Sequence, residues 1–200
     1  MSKITSIAVY TAPSDNCLTS TEVKADLKVE TSADDTPIAA KLDAAERAVE
    51  EYCNRRLMLA TYDLTLSGWP SRGIVLPFSP VISVDSVKYY DDTNALQTWA
   101  STNYKVNASA EPCRINYVSD VPTLYDDRDD AIVIRFKVGY SSSATLATQQ
   151  AAVPPPLKAA ILKLVQDLYY FRADTVKEKM SSWQMLAYPY RVFHAPTEND

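Results

Sequence analysis

The sequence is poor in glycine and histidine. Only Gly68, Gly73 and Gly139 occur among the 200 residues, so no glycine-rich loop that cradles nucleotide phosphates can be assembled. The single histidine is His194, and no GxSxG, HExxH or CxxC motif is present. These absences exclude the ordinary signatures of nucleotide-binding proteins, serine hydrolases and zinc enzymes.

Cysteine is also scarce. Cys17, Cys53 and Cys113 are odd in number and far apart, which favours free thiols in a reducing compartment over a disulfide framework. A catalytic thiolate needs a histidine partner, and the chain offers only His194 in a polar C-terminal segment. We therefore expect no catalytic residue, no metal site and no cofactor.

The chain has no long apolar run. The most apolar stretch, residues 157–171, is interrupted by two lysines, a glutamine and an aspartate, so it is not predicted to span a membrane. The first residues lead into a mixed segment without the apolar region of a signal peptide. We expect a soluble protein made in the cytoplasm, without a membrane partner.

Acidic residues exceed basic ones, 25 against 20, which gives a net charge of −5. A protein that coats DNA phosphates is therefore not expected. Residues 120–130 contain five aspartates and one arginine; a solvated loop is the simpler interpretation, and a patch that repels DNA or binds a basic partner is the alternative. The paired aspartates are interpreted as turn and helix-cap residues. These pairs are Asp34–Asp35, Asp91–Asp92, Asp126–Asp127 and Asp129–Asp130.

Residues 1–59 are interpreted as a helical part. Thr19 and Glu22 form a capping-box pattern at the start of one helix. A second helix of about 18 residues is predicted over residues 37–56, because apolar residues recur at helical spacing from Ile38 to Tyr52. Charged residues off this stripe are expected to face water or another subunit. They are Glu46, Arg47, Glu50 and Glu51.

The pattern changes to strand periodicity over residues 60–140, the predicted inserted β part. Seven short strands are expected there. They lie at residues 62–67, 74–76, 81–90, 96–99, 104–106, 114–118 and 131–138. Tyrosine outnumbers phenylalanine, 13 to 4, and a tyrosine-rich sheet surface at Tyr89 and Tyr90 is a second candidate for subunit contact.

Residues 141–173 are predicted to contain a C-terminal core helix that begins after Pro154–Pro156. Its apolar stripe is expected to pack on the residue 37–56 helix, with Leu164 and Leu168 buried against Leu42 and Val49. The fold class is therefore α+β, with N- and C-terminal helices packed together and an inserted small antiparallel β domain, either a sandwich or an open barrel.

Residues 174–200 are predicted to be an extended docking tail. The segment carries more large apolar groups than a solvated chain end tolerates, and its prolines favour an extended conformation. Docking into another chain and packing on its own domain are both open. The candidate partner-binding residues are Trp183, Met185, Leu186, Tyr188, Pro189, Tyr190, Arg191, Val192 and Phe193.

The order of these segments resembles the head-to-tail connector (adaptor, or neck) proteins of long-tailed bacteriophages and prophages. One departure is Asn54, where the family more often has glycine. The segments that carry the resemblance are LTSTEVKADLKV at residues 18–29, AVEEYCNRRL at 48–57, YDLTL at 62–66, LP at 76–77, PVISV at 80–84, YYD at 89–91, VGY at 138–140, PPLKAAIL at 155–162 and YPYRV at 188–192.

The resemblance implies a structural virion protein and not an enzyme. It implies a homo-oligomeric ring of roughly twelve subunits beneath the portal protein, linked on the other side to a stopper or tail terminator protein. The ring would leave a channel through which DNA passes without specific binding. Its place would be the virion neck, between portal and tail.

Two other functions are compatible with the residues. A monomeric carbohydrate- or protein-binding module would use Trp69 and Trp99 as its platform. A metal-dependent hydrolase would use the aspartate pairs, but the chain lacks histidine ligands for it. A native mass measurement separates a ring from a stable monomer.

Overall fold

The computed structural model describes residues 4–170 and 181–193. Within those residues the chain forms eight strands and five α-helices. In chain order they are β1 (Ile4–Thr11), α1 (Ser20–Leu27), α2 (Asp35–Cys53), β2 (Ala60–Leu66), β3 (Ile74–Val75), β4 (Val81–Tyr90), β5 (Leu96–Trp99), β6 (Tyr104–Asn107), β7 (Arg114–Tyr117), β8 (Ile132–Val138), α3 (Leu146–Ala152), α4 (Pro155–Tyr170) and α5 (Ser182–Ala187).

The strands form two open antiparallel sheets. The larger has the order β1-β2-β8-β4-β5, and the smaller has the order β3-β7-β6. On the central strand β8 the side chains of Ile132, Ile134 and Phe136 are fully buried, whereas Arg135 and Lys137 lie on the opposite, half-exposed face. This alternation follows from the two-residue period of a strand. The α+β class with an inserted antiparallel part is confirmed.

A helical core accompanies the β core. Buried side chains of α1, α2 and α4, among them Ile38, Leu42 and Val49, form one cluster. The carboxyl end of α4 lies beside the amino end of α2, where the Tyr169 hydroxyl donates to the Asp34 carboxylate at 2.9 Å. The two long helices therefore pack against each other, as the sequence predicts. The domain boundaries at residues 59, 140 and 173 stay predictions.

One predicted core position is wrong. Leu168 is 39% exposed, and Leu164 is only half-buried. The buried positions of α4 are instead Leu157, Ala160, Ile161 and Val165. Because α4 carries apolar residues around most of its circumference, their spacing alone does not define which side faces α2. Phe171, the last residue of the predicted stripe, lies outside the described residues.

The residues at the start of α1 and the end of α2 explain why these helices begin and end there. The Thr19 hydroxyl accepts from the Glu22 backbone N–H while the Glu22 carboxylate accepts from the Thr19 backbone N–H, which confirms the capping box. At the end of α2, Asn54 has φ 53° and ψ 38°, the left-handed conformation that glycine and asparagine tolerate best. Asparagine is therefore compatible with the backbone at this position, where the resemblance leads us to expect glycine.

Three elements differ from the sequence-based prediction. Residues 1–59 were predicted to be helical, but Ile4–Thr11 is a strand that pairs with β2. The enrichment of this segment in isoleucine, valine, threonine and tyrosine is the signal for a strand. Helix α3 and helix α5 were not predicted, because both have fewer than eight residues and periodicity is weak over so short a length.

We expect Gly139→Ala to lower the free energy of unfolding by about 1–3 kcal/mol. Gly139 follows β8 with φ +130°, and a Cβ there would lie 2.8 Å from the carbonyl oxygen of Met58. Urea denaturation measures the change. Gly68→Ala is the control, since Gly68 has no positive φ, and an equal loss in both variants would contradict the steric explanation.

Candidate functional site

The C-terminal segment, expected to be extended, is folded in the described residues. A Ser181–Gln184 capping box begins α5, and Pro189 lies in the 3₁₀ turn Tyr188–Tyr190 that follows it. Proline is tolerated in the first turn of a helical segment, so Pro189 does not prevent the helix before it. The prediction of an extended conformation is therefore wrong over residues 182–190.

Several contacts hold this segment against its own domain. The ring of Trp183 meets the ring of Tyr52 edge-on at 5.3 Å, and Val192 is only 4% exposed. The Val192 backbone N–H donates to the Cys53 carbonyl at 2.9 Å, and the Asn54 side chain donates to the Val192 carbonyl at 2.8 Å. The inner side of the segment is thus part of the helical core.

The Arg55 guanidinium links this segment to the β part. Its Nε donates to the Tyr190 carbonyl at 2.5 Å, and its terminal nitrogens bind both carboxylate oxygens of Glu111. The Arg55 side chain is 9% exposed. Bidentate arginine–carboxylate pairs fix both position and orientation, so the segment is held in one arrangement relative to both buried cores.

The outer side of the same segment is apolar and exposed; we call it the tail patch. Arg191 lies beside it, 4.9 Å from the ring centres of both Tyr52 and Phe193. Of the predicted docking residues, Trp183 and Val192 contribute to the domain's own packing, and four others have large exposed side chains. The four residues of the tail patch are Met185 (66% exposed), Leu186 (37%), Tyr188 (51%) and Phe193 (62%).

The predicted ring-contact residues of α2 differ in their exposure to solvent. Arg47 and Glu51 are exposed, and Glu50 is half-buried. The expectation that Glu46 faces water or another subunit is wrong, because Glu46 is 6% exposed and its carboxylate accepts from the Cys17 backbone N–H at 2.9 Å. Position on the helix did not reveal this contact, because the chain before α1 covers that side of α2.

The two tyrosines proposed for ring contact, Tyr89 and Tyr90, also contact other residues of their own chain. The Tyr89 ring lies 6.1 Å from the ring of Trp69 and packs against the β core. The Arg128 guanidinium lies 3.5 Å from the centre of the Tyr90 ring. Both residues are half-buried, so the area they leave for a neighbour is limited.

Burial raises the pKa of the Glu46 carboxyl to about 7, although the hydrogen bond from the Cys17 backbone N–H favours the charged form. Burial also raises the pKa of nearby Glu50. Since the folded-state pKa of Glu46 lies above its ordinary value of 4.5, the folded protein binds this proton more tightly than the unfolded one. Its contribution to stability is therefore present below pH 4.5 and declines as pH rises from about 4.5 to 7.

We expect Glu46→Gln to flatten this decline and to make the protein more stable at pH 8, by up to about 3 kcal/mol. The glutamine carbonyl still accepts from the Cys17 N–H but carries no charge to bury. Urea denaturation at several pH values is the measurement. Exposed Glu51→Gln is the matched control, and the same pH profile in the Glu46 variant as in the unsubstituted protein would contradict the assignment.

The three cysteines and His194 are the remaining candidates for catalysis, and the cysteines lie in buried positions. Cys17, Cys53 and Cys113 are buried and free; burial raises the pKa of Cys53 and Cys113 to about 11 and that of Cys17 further. These thiols are therefore protonated at neutral pH. His194 lies outside the described residues.

Asp91 and Asp130 form hydrogen bonds within their own turns, whereas Asp34 makes no side-chain cap hydrogen bond and accepts from the distant Tyr169 hydroxyl. Asp91 accepts hydrogen bonds from Thr93, Ala95 and Gln97 in its own turn, which lowers its pKa to about 2. Asp130 binds Arg128 at 2.7 Å. Within residues 4–170 and 181–193, no three histidine, cysteine or acidic side chains converge closely enough to hold a metal ion. Nor does any helix there have the length and apolar character to span a membrane.

The proposed tryptophan platform is internal. Trp99 is 4% exposed, and the Trp69 and Trp99 rings lie 4.8 Å apart. The Trp69 indole N–H donates to the Pro122 carbonyl at 3.0 Å. Both rings pack within the β core, so they do not form an exposed surface for a sugar or peptide.

Part of the chain matches a family of known proteins. Residues 19–115, just under half of the chain, match the family described as phage gp6-like head-tail connector proteins. The match agrees with the resemblance that the sequence indicates. No protein with a curated description matches the chain.

Solved structures share the fold over nearly the whole chain. A chain in the neck of an empty gene transfer agent (GTA) particle, computed with C6 symmetry, has a TM-score of 0.79 and 20% identity, over 98% of this chain and 100% of that one. A chain in the native GTA virion has a TM-score of 0.78 and 21% identity, over 94% and 96%. A chain in the native GTA neck, computed with C12 symmetry, has a TM-score of 0.73 and 20% identity, over 98% and 100%.

Proposed function

We propose that the protein is a structural component of the virion neck, because residues 19–115 match the model of the phage gp6-like head-tail connector family. It links the portal side of a phage-like particle to the tail side and does no chemistry of its own. The observation that carries this proposal is the family match, supported by the fold shared with chains of GTA neck structures over 98% of this chain. In this role the residues of the protein act by contacting other subunits of the particle.

The proposed connector is a ring of about twelve copies of the chain. The neck structures with the same fold were computed with C6 and C12 symmetry, and both symmetries are compatible with that number. Each subunit of a closed ring presents two different faces, one to each neighbour. The ring leaves a channel for DNA, and the net charge of −5 favours passage over binding.

The tail patch is the proposed docking surface for the portal protein. Its four side chains are exposed, yet the segment is held by the Trp183, Val192 and Arg55 contacts described above. Such a surface loses little conformational entropy on binding. Arg191 beside the patch can bind a carboxylate of the partner, and several patches that engage together gain avidity. The opposite side of the ring then faces the tail-side stopper or tail terminator protein.

We expect the double variant Met185→Asp/Phe193→Asp to remain folded and to lose attachment to portal-containing heads by about tenfold or more. Two charges replace exposed apolar side chains, so the thermal midpoint should hardly change while docking is lost. Co-sedimentation of the full chain with tailless heads measures attachment.

Val118→Asp is the control, since Val118 is 56% exposed on a loop after β7, and this variant should attach normally. Normal attachment of the double variant would remove the tail patch from the proposal. No attachment of the unsubstituted protein to heads of its own phage would contradict the connector function itself.

A further inference from the structure

The loop between β6 and β7 presents the carboxylate of Glu111 at a fixed place on the β part. Two residues after it, Cys113 is fully buried in the β core, and its carbonyl accepts from the Leu76 backbone N–H at 2.9 Å. The Glu111 side chain is 41% exposed, yet both of its carboxylate oxygens accept from Arg55. The packing of the β core therefore determines where this carboxylate lies.

Arg55 connects that fixed place to the C-terminal segment. Its backbone N–H donates to the Glu50 carbonyl at 3.0 Å, so the end of α2 determines where the side chain begins. The side chain is almost entirely buried, and its Nε donates to the Tyr190 carbonyl while its terminal nitrogens bind Glu111. Because a guanidinium is planar and rigid, the direction of one set of contacts fixes the direction of the other. The Tyr190 backbone is thus aligned relative to the β part.

The contacts of Trp183 and Val192 are, in contrast, with the helical part. The Trp183 ring packs on Tyr52, and the Val192 backbone forms hydrogen bonds with the residues at the end of α2. These contacts hold the segment against the helices, and the arginine–glutamate pair adds a second fixed point on the β part. The orientation of the segment between the two cores therefore depends on this ion pair.

The residue that Arg55 binds lies inside the stretch of chain that forms the tail patch. Tyr190 stands between Tyr188 and Phe193, whose rings are 6.5 Å apart. The Arg191 N–H donates to the Tyr188 carbonyl at 3.1 Å and closes the turn around Tyr190. A displacement of the Tyr190 backbone therefore changes the spacing of two exposed side chains of the patch. A surface loses less entropy on binding when its side chains are already held in the binding arrangement.

We propose that Glu111 is a positioning residue for the tail patch, and that it acts through Arg55 to hold the patch in the arrangement that binds the portal protein. This inference rests on the proposed docking function and adds a residue of the β part to it. Without the ion pair, the segment samples other arrangements, and the apparent affinity for the portal protein falls in proportion to the fraction that stays competent to bind. Glu111 itself does not touch the portal protein, although its side chain is partly exposed.

Glu111→Gln in the full chain should weaken attachment to portal-containing heads by about five- to tenfold. Glutamine keeps the length of the side chain and one oxygen acceptor, so the protein should stay folded, but it forms no charged bidentate pair with Arg55. Co-sedimentation measures attachment, and circular dichroism checks the fold. Glu30→Gln is the matched control, since Glu30 is exposed on the loop after α1 and its variant should attach normally. Normal attachment of Glu111→Gln would overturn the proposal.

Arg55→Lys separates positioning from charge. A lysine ammonium keeps the positive charge next to Glu111, but it cannot reproduce the planar set of contacts that joins the carboxylate to the Tyr190 carbonyl. Positioning therefore predicts a loss of attachment similar to that of Glu111→Gln. Attachment at the level of the unsubstituted protein would show that charge alone suffices, and it would contradict the positioning role.

A double-mutant cycle separates positioning from direct contact with the portal protein. In the Met185→Asp/Phe193→Asp background the tail patch is already damaged, and the residual attachment depends on other surfaces. If Glu111 acts through the patch, Glu111→Gln should weaken this residual attachment by less than about twofold. A further five- to tenfold loss in that background would mean that Glu111 touches the partner by itself, and the proposal would be wrong.

The isolated chain gives a readout that needs no partner. The Val192 N–H, which donates to the Cys53 carbonyl at 2.9 Å, should exchange with deuterium about fivefold faster in Glu111→Gln than in the unsubstituted protein, because the segment opens more often. Equal exchange rates would refute the positioning role and leave the connector function intact. Failure of the unsubstituted protein to attach to heads of its own phage would instead refute the connector function, and the positioning role with it.

Discussion

Truncation after Ala173 should lower the free energy of unfolding by about 4–6 kcal/mol. The deleted part includes Trp183 and Val192, whose burial contributes about 3–5 kcal/mol, and hydrogen bonds that contribute about 1 kcal/mol each. Small domains have about 5–15 kcal/mol in all. The shortened protein is therefore expected to unfold partly near body temperature or to aggregate.

Urea denaturation of the full and shortened chains measures this loss. Two adjacent residues provide a matched pair within the full chain: Val192→Ala, at a side chain 4% exposed, should cost about 1–2 kcal/mol, and Phe193→Ala, at one 62% exposed, about 0.5 kcal/mol or less. A shortened chain with the unfolding free energy of the full one would mean that the observed packing of residues 181–193 contributes nothing.

This expectation reverses one drawn from the sequence. An extended tail was predicted from an excess of apolar side chains together with Pro189. The number of apolar groups showed that the segment must be covered, but it did not show by what. The answer depends on long-range partners such as Tyr52 and Arg55, which no local pattern in residues 181–193 contains. Because Met185 and Phe193 face outward, docking of this segment onto a partner is still proposed.

The β part was more predictable than the surfaces. All seven strands predicted between residues 60 and 140 are present, because alternating apolar residues separated by turn residues determine both the face and the length of a strand. Strand β1 was missed since it is exposed on both faces apart from Ile4 and so lacks that alternation.

The charged side of α2 shows why site residues are harder to predict than elements. Helical periodicity correctly separated Leu42 and Val49 from the charged residues around them. It assigned Glu46 to solvent, yet the segment around Cys17 covers that carboxylate. Periodicity describes one helix, whereas exposure depends on what the rest of the chain places against it.

Ile161→Ala should lower the free energy of unfolding by about 2–5 kcal/mol through the cavity that it leaves. Ile161 is fully buried in the cluster that also holds Leu42 and Val49 of α2. Leu168→Ala on the same helix is the matched control, because that side chain is 39% exposed and its loss should cost well under half as much.

Both substitutions place alanine in α4 and remove the same number of carbon atoms, so a large difference between their effects on stability reports burial. Urea denaturation at constant m-value is the measurement, since an altered m-value would indicate a changed unfolded state. Equal losses would mean that α4 is rotated from the arrangement seen here, with Leu168 directed at α2 as its spacing first indicated. A large loss confined to Ile161 supports packing of α2 on the Leu157–Val165 side of α4, the arrangement that leaves Leu168 outside the helical core.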